Sequence, residues 1–179
     1  MRITYLRIIN FKSIRDLEIK DIENAMILVG KNNTGKTVVI DAVRLASGSY
    51  RVQDRDFLDI EKKIEMDFQV EFTEEDLRLF HMQGVVSHYK TYEAWEKDFQ
   101  NKLPSFQNGI LSFHFSIDRE NDYSYKDVFH EESGTRIARR NNPHIKEVFP
   151  KTYHIDHSRN IEAIQDDVFR FYDRQFVTR

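Results

Sequence analysis

The sequence predicts an α/β fold, and three observations carry that prediction. A short apolar run, Ala25 to Val29, has no alternation and feeds a glycine-bearing loop; the segment behind that loop, Lys36 to Ala46, is apolar at helical spacing; and two later segments alternate strictly between apolar and polar residues. An unalternating run suits a strand buried on both faces, as in a parallel or mixed central sheet, whereas strict alternation suits the half-buried strands of an antiparallel sheet.

Taken in order, residues 2–11 are rich in β-branched and aromatic types (Ile3, Tyr5, Ile8, Ile9, Phe11) and read as a strand. Leu17, Ile19 and Ile22 then interleave with Asp16, Glu18 and Lys20, a second strand after a turn near Ser13. The buried strand 25–29 follows, then the helix 36–46, whose Val39, Ala42, Val43 and Ala46 form one face and which Gly48 closes. Residues 49–60 read as a charged loop in which Asp54, Asp56 and Asp59 are solvated. Ile64, Met66, Phe68, Val70 and Phe72 alternate with Lys63, Glu65, Asp67, Gln69 and Glu71, a strand with one wet face. Thr73 with Asp76 three positions on nearly matches a capping box and opens a short helix. Tyr89, Tyr92, Trp95 and Phe99 mark an amphipathic helix that stops before Pro104. Leu111, Phe113, Phe115 and Ile117 form another alternating strand; 118–150 is irregular with room for one more short strand; Thr152 to Asp156 suits a strand; and Ile161, Ile164, Val168 and Phe171 mark a last helix.

Bulk properties narrow the function. With 179 residues the chain is one domain or slightly more, with enough apolar residues for a core. The net charge is −3, so the basic excess of a dedicated nucleic-acid binder is missing and DNA contact cannot be argued from charge. The absence of cysteine excludes disulfides, thiolate metal sites and cysteine nucleophiles within the chain. The opening residues are punctuated by Arg and Lys with no apolar core of a signal sequence, and no run reaches the ~20 apolar residues of a membrane span, so a cytoplasmic protein without membrane contact is expected.

The decisive motif is Gly30-Lys31-Asn32-Asn33-Thr34-Gly35-Lys36-Thr37, which meets G-x-x-x-x-G-K-[ST] at every fixed position. Gly30 and Gly35 let the backbone curl so that successive N–H groups face phosphate oxygens. The helix starting behind Gly35 adds its positive end. Lys36 reaches the terminal phosphates, the Thr37 hydroxyl suits Mg²⁺ ligation, and Val38 completes the binding stretch. ATP with Mg²⁺ is the expected cofactor.

The wider pattern, Ile8-Ile9-Asn10-Phe11-Lys12-Ser13-Ile14, a strand, Val29 into the loop, then Ile40-Asp41-Ala42, resembles the opening of ABC-type ATPases of the SMC/RecF class, and within it the OLD family. The resemblance covers residues 1–48, and the Asp56-Phe57 pair beyond it is also of that type. It implies the first lobe of an ABC-type head: a P-loop NTPase fold with a mixed central sheet and an adjoining antiparallel sheet. It implies that Lys12 approaches the nucleotide and that Asn33 helps place the γ-phosphate; Gln165 is read as a solvated helix residue before a phosphate sensor. Head-to-head dimerisation, a DNA-linked activity and a following Toprim nuclease, in DNA processing or phage defence, are what such relatives imply for a full-length protein.

Two parts of such a site are not found. No apolar strand ends in Asp-Glu; Phe115 to Asp118 and Phe169 to Asp173 are interrupted by polar residues, and no L-S-G-G-like segment occurs. The expectation is therefore a single N-terminal ATP-binding lobe over 1–179, without catalytic residues of its own, that binds nucleotide weakly and hydrolyses it little. Weaker constellations are His154-Ile155-Asp156-His157, read as a polar strand end before a metal site, and Arg136, Arg139 and Arg140, read as a solvated loop before a DNA contact. The rival functions are a small P-loop kinase, against which the antiparallel strands argue, and a regulatory module that uses nucleotide only as a switch.

Overall fold

A computed structural model describes residues 1–23, 36–127 and 142–149 of the chain. The expected strands at 25–29 and 152–156, the final helix around 161–171, and Gln165, the arginine cluster and the His154–His157 group all lie outside those residues.

The described strands form one six-stranded sheet in which every pairing is antiparallel. They are β1 (Arg2–Phe11), β2 (Ile14–Ile19), β3 (Ile64–Glu71), β4 (Phe106–Gln107), β5 (Ile110–Ile117) and β6 (Tyr123–Asp127). The order is β2-β1-β3-β5-β4, with β6 also on β5. The three longest strands, β1, β3 and β5, sit in the middle of that order. Leu6 and Ile8 pair with Phe68 and Met66, which pair with Phe113 and Phe115, so one face is a continuous apolar layer. All six of those side chains are essentially excluded from solvent.

The opposite face is wet and charge-paired, as the polar half of the alternation requires. Arg7 holds Asp16 through two hydrogen bonds of 3.0 and 2.8 Å, and the Tyr5 hydroxyl donates to Glu18 at 2.8 Å. His114 meets Asp67 at 2.7 Å across β3 and β5.

Helix α1 (Lys36–Ala46) packs beside β1, burying Val39, Ala42, Val43, Leu45 and Ala46. Its C-terminus is closed by Gly48, at φ 78°, whose N–H reaches the Leu45 carbonyl at 3.0 Å. The buried Tyr125 hydroxyl donates to the Ala46 carbonyl at 2.8 Å and ties that end to β6. Helices α2 (Glu74–Gln83) and α3 (Tyr92–Lys102) form a small module around Trp95, whose indole N–H donates to Val85 at 2.9 Å. Thr73 and Asp76 make both halves of the capping box. Tyr89 stands outside α3, since Thr91 caps the helix through the Ala94 N–H and sets its start.

Two readings are corrected. The polar stretch 118–150 contains, beyond β6, a helix α4 (Asn142–Val148), and the Phe149 ring after it packs at 5.0 Å on Phe68 and 5.7 Å on Phe113. The loop 49–60 is not uniformly solvated: it holds a single 3-10 turn, Asp54–Asp56, in which Asp56 is 2% exposed while Asp54 faces solvent.

Candidate functional site

The residues Gly30, Lys31, Asn32, Asn33, Thr34 and Gly35 precede α1 and lie outside the described residues. Lys36, Thr37 and Val38 form the first turn of α1, as the motif requires. Thr37 is exposed and Lys36 half-buried. No acidic residue stands in that first turn, so nothing there opposes the positive end of the helix. A lysine, a hydroxyl and an acid-free helix N-terminus are a donor set that fits a phosphate chain with Mg²⁺.

The acid of α1 is Asp41, one turn beyond Thr37, and it is engaged by two cations. Asp41 is 8% exposed, on the apolar flank of the helix. Lys12 Nζ donates to its Oδ2 at 2.6 Å, and Arg44 Nη1 donates to its Oδ1 at 3.3 Å. Lys12 comes from the turn between β1 and β2, where its φ is 52°, left-handed backbone that a lysine seldom adopts. Its own N–H donates to the Asp56 carbonyl at 2.7 Å, which fixes the turn against the 3-10 segment.

Asp56 closes the second side. Its carboxylate lies 3.9 Å from Lys12 Nζ and accepts from the Tyr50 hydroxyl at 3.0 and 3.1 Å and from the Gln53 N–H at 2.9 Å. The ammonium also lies 4.7 Å from the centre of the Tyr50 ring. Burial works against the Lys12 charge, yet hydrogen bonding to Asp41 and Tyr50 outweighs it and holds the amine's pKa above its ordinary value. Burial likewise raises the Tyr50 phenol, so it stays protonated and donates. Lys12 and Arg44 face Asp41 and Asp56 in a compact cluster between the middle of α1, the β1–β2 turn and the 3-10 segment.

Asn10, the first residue of the N-F-K motif, has a structural task. Its amide nitrogen donates to the carbonyls of Asp59, Lys62 and Lys63 at 2.9, 2.9 and 3.2 Å, and its oxygen accepts from the Asp59 N–H at 2.7 Å. Sequence reasoning named Lys12 but gave no role to Asp41 or Tyr50 and took Asp56 as solvated. The available signal was an acid within the apolar periodicity of α1, four residues after Thr37. Among the described residues no group of three His, Cys, Asp or Glu is placed to hold a metal, and no helix is long and apolar enough to cross a membrane.

In the described residues, helix α1, which follows the glycine motif in the sequence, packs beside an antiparallel sheet. A family model described as the AAA ATPase domain matches residues 1–175, and the chain belongs to that family. Its fold is similar to a solved SMC ATPase, from work on ATP-driven dimerization and DNA-stimulated activation of SMC ATPases, with TM-score 0.58 and 15% identity over 98% of this chain and 99% of that one. It is also similar to an SMC head solved with the C-winged helix domain of ScpA, with TM-score 0.50 and 14% identity over 84% of this chain and 42% of that one. No curated protein matches the chain by sequence. These likenesses establish the SMC-head type of P-loop NTPase fold.

Proposed function

We propose that the chain is the ATP-binding lobe of an OLD/SMC-like ATPase, holding Mg-ATP through Gly30 to Val38 with Lys12 beside it. The observation that carries this is the start of α1: Lys36 and an exposed Thr37 in an acid-free first turn, directly behind the glycine loop. In this reading the loop amides and Lys36 neutralise the β- and γ-phosphates, and Thr37 is the protein ligand to Mg²⁺. In this reading the whole of 1–179 is one binding lobe, whose part is to hold the nucleotide. In the same reading ATP drives head-to-head homodimerisation, which controls a DNA-directed activity. Support for that step is the OLD-like pattern of residues 1–48 and the subject of the SMC neighbour's structure.

The test is calorimetric titration of the chain with Mg-ATP, beside Lys36→Ala and a phosphate-release assay. Binding that is saturable, Mg²⁺-dependent and lost in Lys36→Ala, with turnover near background, is the expected result. Equal binding by both proteins, or phosphorylation of a small metabolite, would overturn it. Sedimentation with and without Mg-ATP then tests nucleotide-driven association.

A further inference from the structure

We infer that Asp41 is a positioning residue for the nucleotide site: it holds the Lys12 ammonium at the phosphate-binding end of α1, with Asp56 and Tyr50 fixing it from the other side. This rests on the ATP-binding reading above.

Three observations converge on it. The first is placement. Asp41 follows Thr37 by one turn on the same face of α1, so its Cα lies ~6 Å along the helix axis from that of Thr37, and Lys12 is gripped by that carboxylate. The second is the orientation of Asp41 itself. Arg44 takes Oδ1 at 3.3 Å, which turns Oδ2 onto Lys12 at 2.6 Å. The third is that the fold holds Lys12 in an unfavourable backbone conformation to keep it there. Its φ of 52° is sustained by the 2.7 Å bond from its N–H to the Asp56 carbonyl, and backbone strain of this kind persists only where the surroundings over-determine it.

A lysine stem is flexible and its ammonium is a mobile point charge. Left alone at a hairpin turn it would sample solvent, and each binding event would have to order it. The carboxylate of Asp41, the carboxylate of Asp56 at 3.9 Å and the Tyr50 ring at 4.7 Å remove that freedom beforehand. Asp56 is in turn locked by the Tyr50 hydroxyl and the Gln53 N–H, so the 50–56 segment is the outer wall of the same device. The recognised chemistry is a polyanion, the triphosphate chain. Asp41 acts on it only through Lys12.

A double-mutant cycle tests this, with Mg-ATP affinity as the readout and the nucleotide-free melting temperature as the fold check. Lys12→Met keeps the aliphatic stem and removes the charge; Asp41→Asn keeps the shape and removes the charge. Each single change is expected to weaken Mg-ATP binding by about tenfold, the lower end for a hydrogen bond to a charged group, and the double change by no more than either. Losses that multiply, an unchanged affinity in Lys12→Met, or a loss in Lys12→Met that Asp41→Asn does not share would each overturn the inference. Should Asp41→Asn fold poorly, Tyr50→Phe is the milder variant: it frees Asp56 but leaves the ring, and its affinity loss should likewise vanish in the Lys12→Met background. A loss that persists there overturns the inference too. Lys36→Ala separates the two levels. Full binding by Lys36→Ala refutes the ATP site itself, whereas loss in Lys36→Ala with additive losses at Lys12 and Asp41 refutes only the positioning role.

Discussion

Asn10 shows how one side chain can organise a loop that has little regular structure of its own. Its amide satisfies three carbonyls and one N–H of the 59–63 segment, at a position 5% exposed and with a φ of 60° that asparagine tolerates better than most residues. Asn10→Ala should therefore cost about 2–4 kcal/mol, combining stranded buried polar groups with left-handed strain, as read from urea midpoints. Asn10→Asp should be worse than the isosteric change suggests, because a carboxylate would face the carbonyls that the amide nitrogen now serves. A loss below about 1 kcal/mol for Asn10→Ala would show that water replaces these bonds freely. This residue was legible only as part of a motif: a pattern can say that asparagine belongs beside Phe11, but the three carbonyls it serves lie some fifty positions away. The same limit hid Asp56, since a run of aspartates reads as solvated until Tyr50 and Lys12 are seen to close over one of them.

Strands and helices were the most legible level, because their periodicity is local. The alternation of 64–72 and 111–117 became β3 and β5 at the centre of the sheet, and the helix at Lys36–Ala46 has the expected bounds. Helix α4 escaped because its seven residues include only two aliphatic side chains, Ile145 and Val148, too few to show a period. The α2–α3 module supplies a pH prediction. Ser87 Oγ donates to Asp98 at 2.6 Å and Lys102 Nζ to the same carboxylate at 2.9 Å, and these bonds, Ser87 first, hold the Asp98 pKa below its ordinary value. A depressed carboxylate stabilises the fold above its unfolded pKa, and that contribution disappears as the pH falls through the folded value. Stability should thus decline below about pH 4, and Asp98→Asn should be less stable at neutrality yet converge on the parent protein in acid. Denaturant midpoints at pH 7 and about pH 3 check this, and an equal deficit at both would exclude the linkage. At the start of α2, Thr73→Ala should cost about 1 kcal/mol by removing its bond from the Asp76 N–H.

Across the whole molecule, what matters is whether α1 behaves as part of the sheet or as a separable arm. Two points of α1 are tied to different places: Asp41, at its middle, through Lys12 to the β1–β2 turn, and Ala46, at its C-terminal end, through Tyr125 to β6. Along the helix Val39, Ala42 and Val43 join the same core as Leu6, Ile8 and Phe115. With its middle and its C-terminal end anchored, local opening of α1 requires breaking sheet contacts, so ligand binding at its N-terminus should stabilise the protein against global unfolding and not merely against fraying of the helix. Mg-ATP at one hundred times its dissociation constant should then add about 2.7 kcal/mol and raise the melting temperature by roughly 5–10 °C, an effect absent in Lys36→Ala. Tyr125→Phe cuts the distal tie while leaving the phosphate end intact. It should lower the nucleotide-free melting temperature and let α1 amides exchange ahead of those in β3 and β5, with Mg-ATP then protecting α1 more than it protects the sheet. If Mg-ATP slows exchange in α1 alone in the unaltered protein, with no change in melting temperature, the helix is an independent arm and the two ties do not couple it to the core.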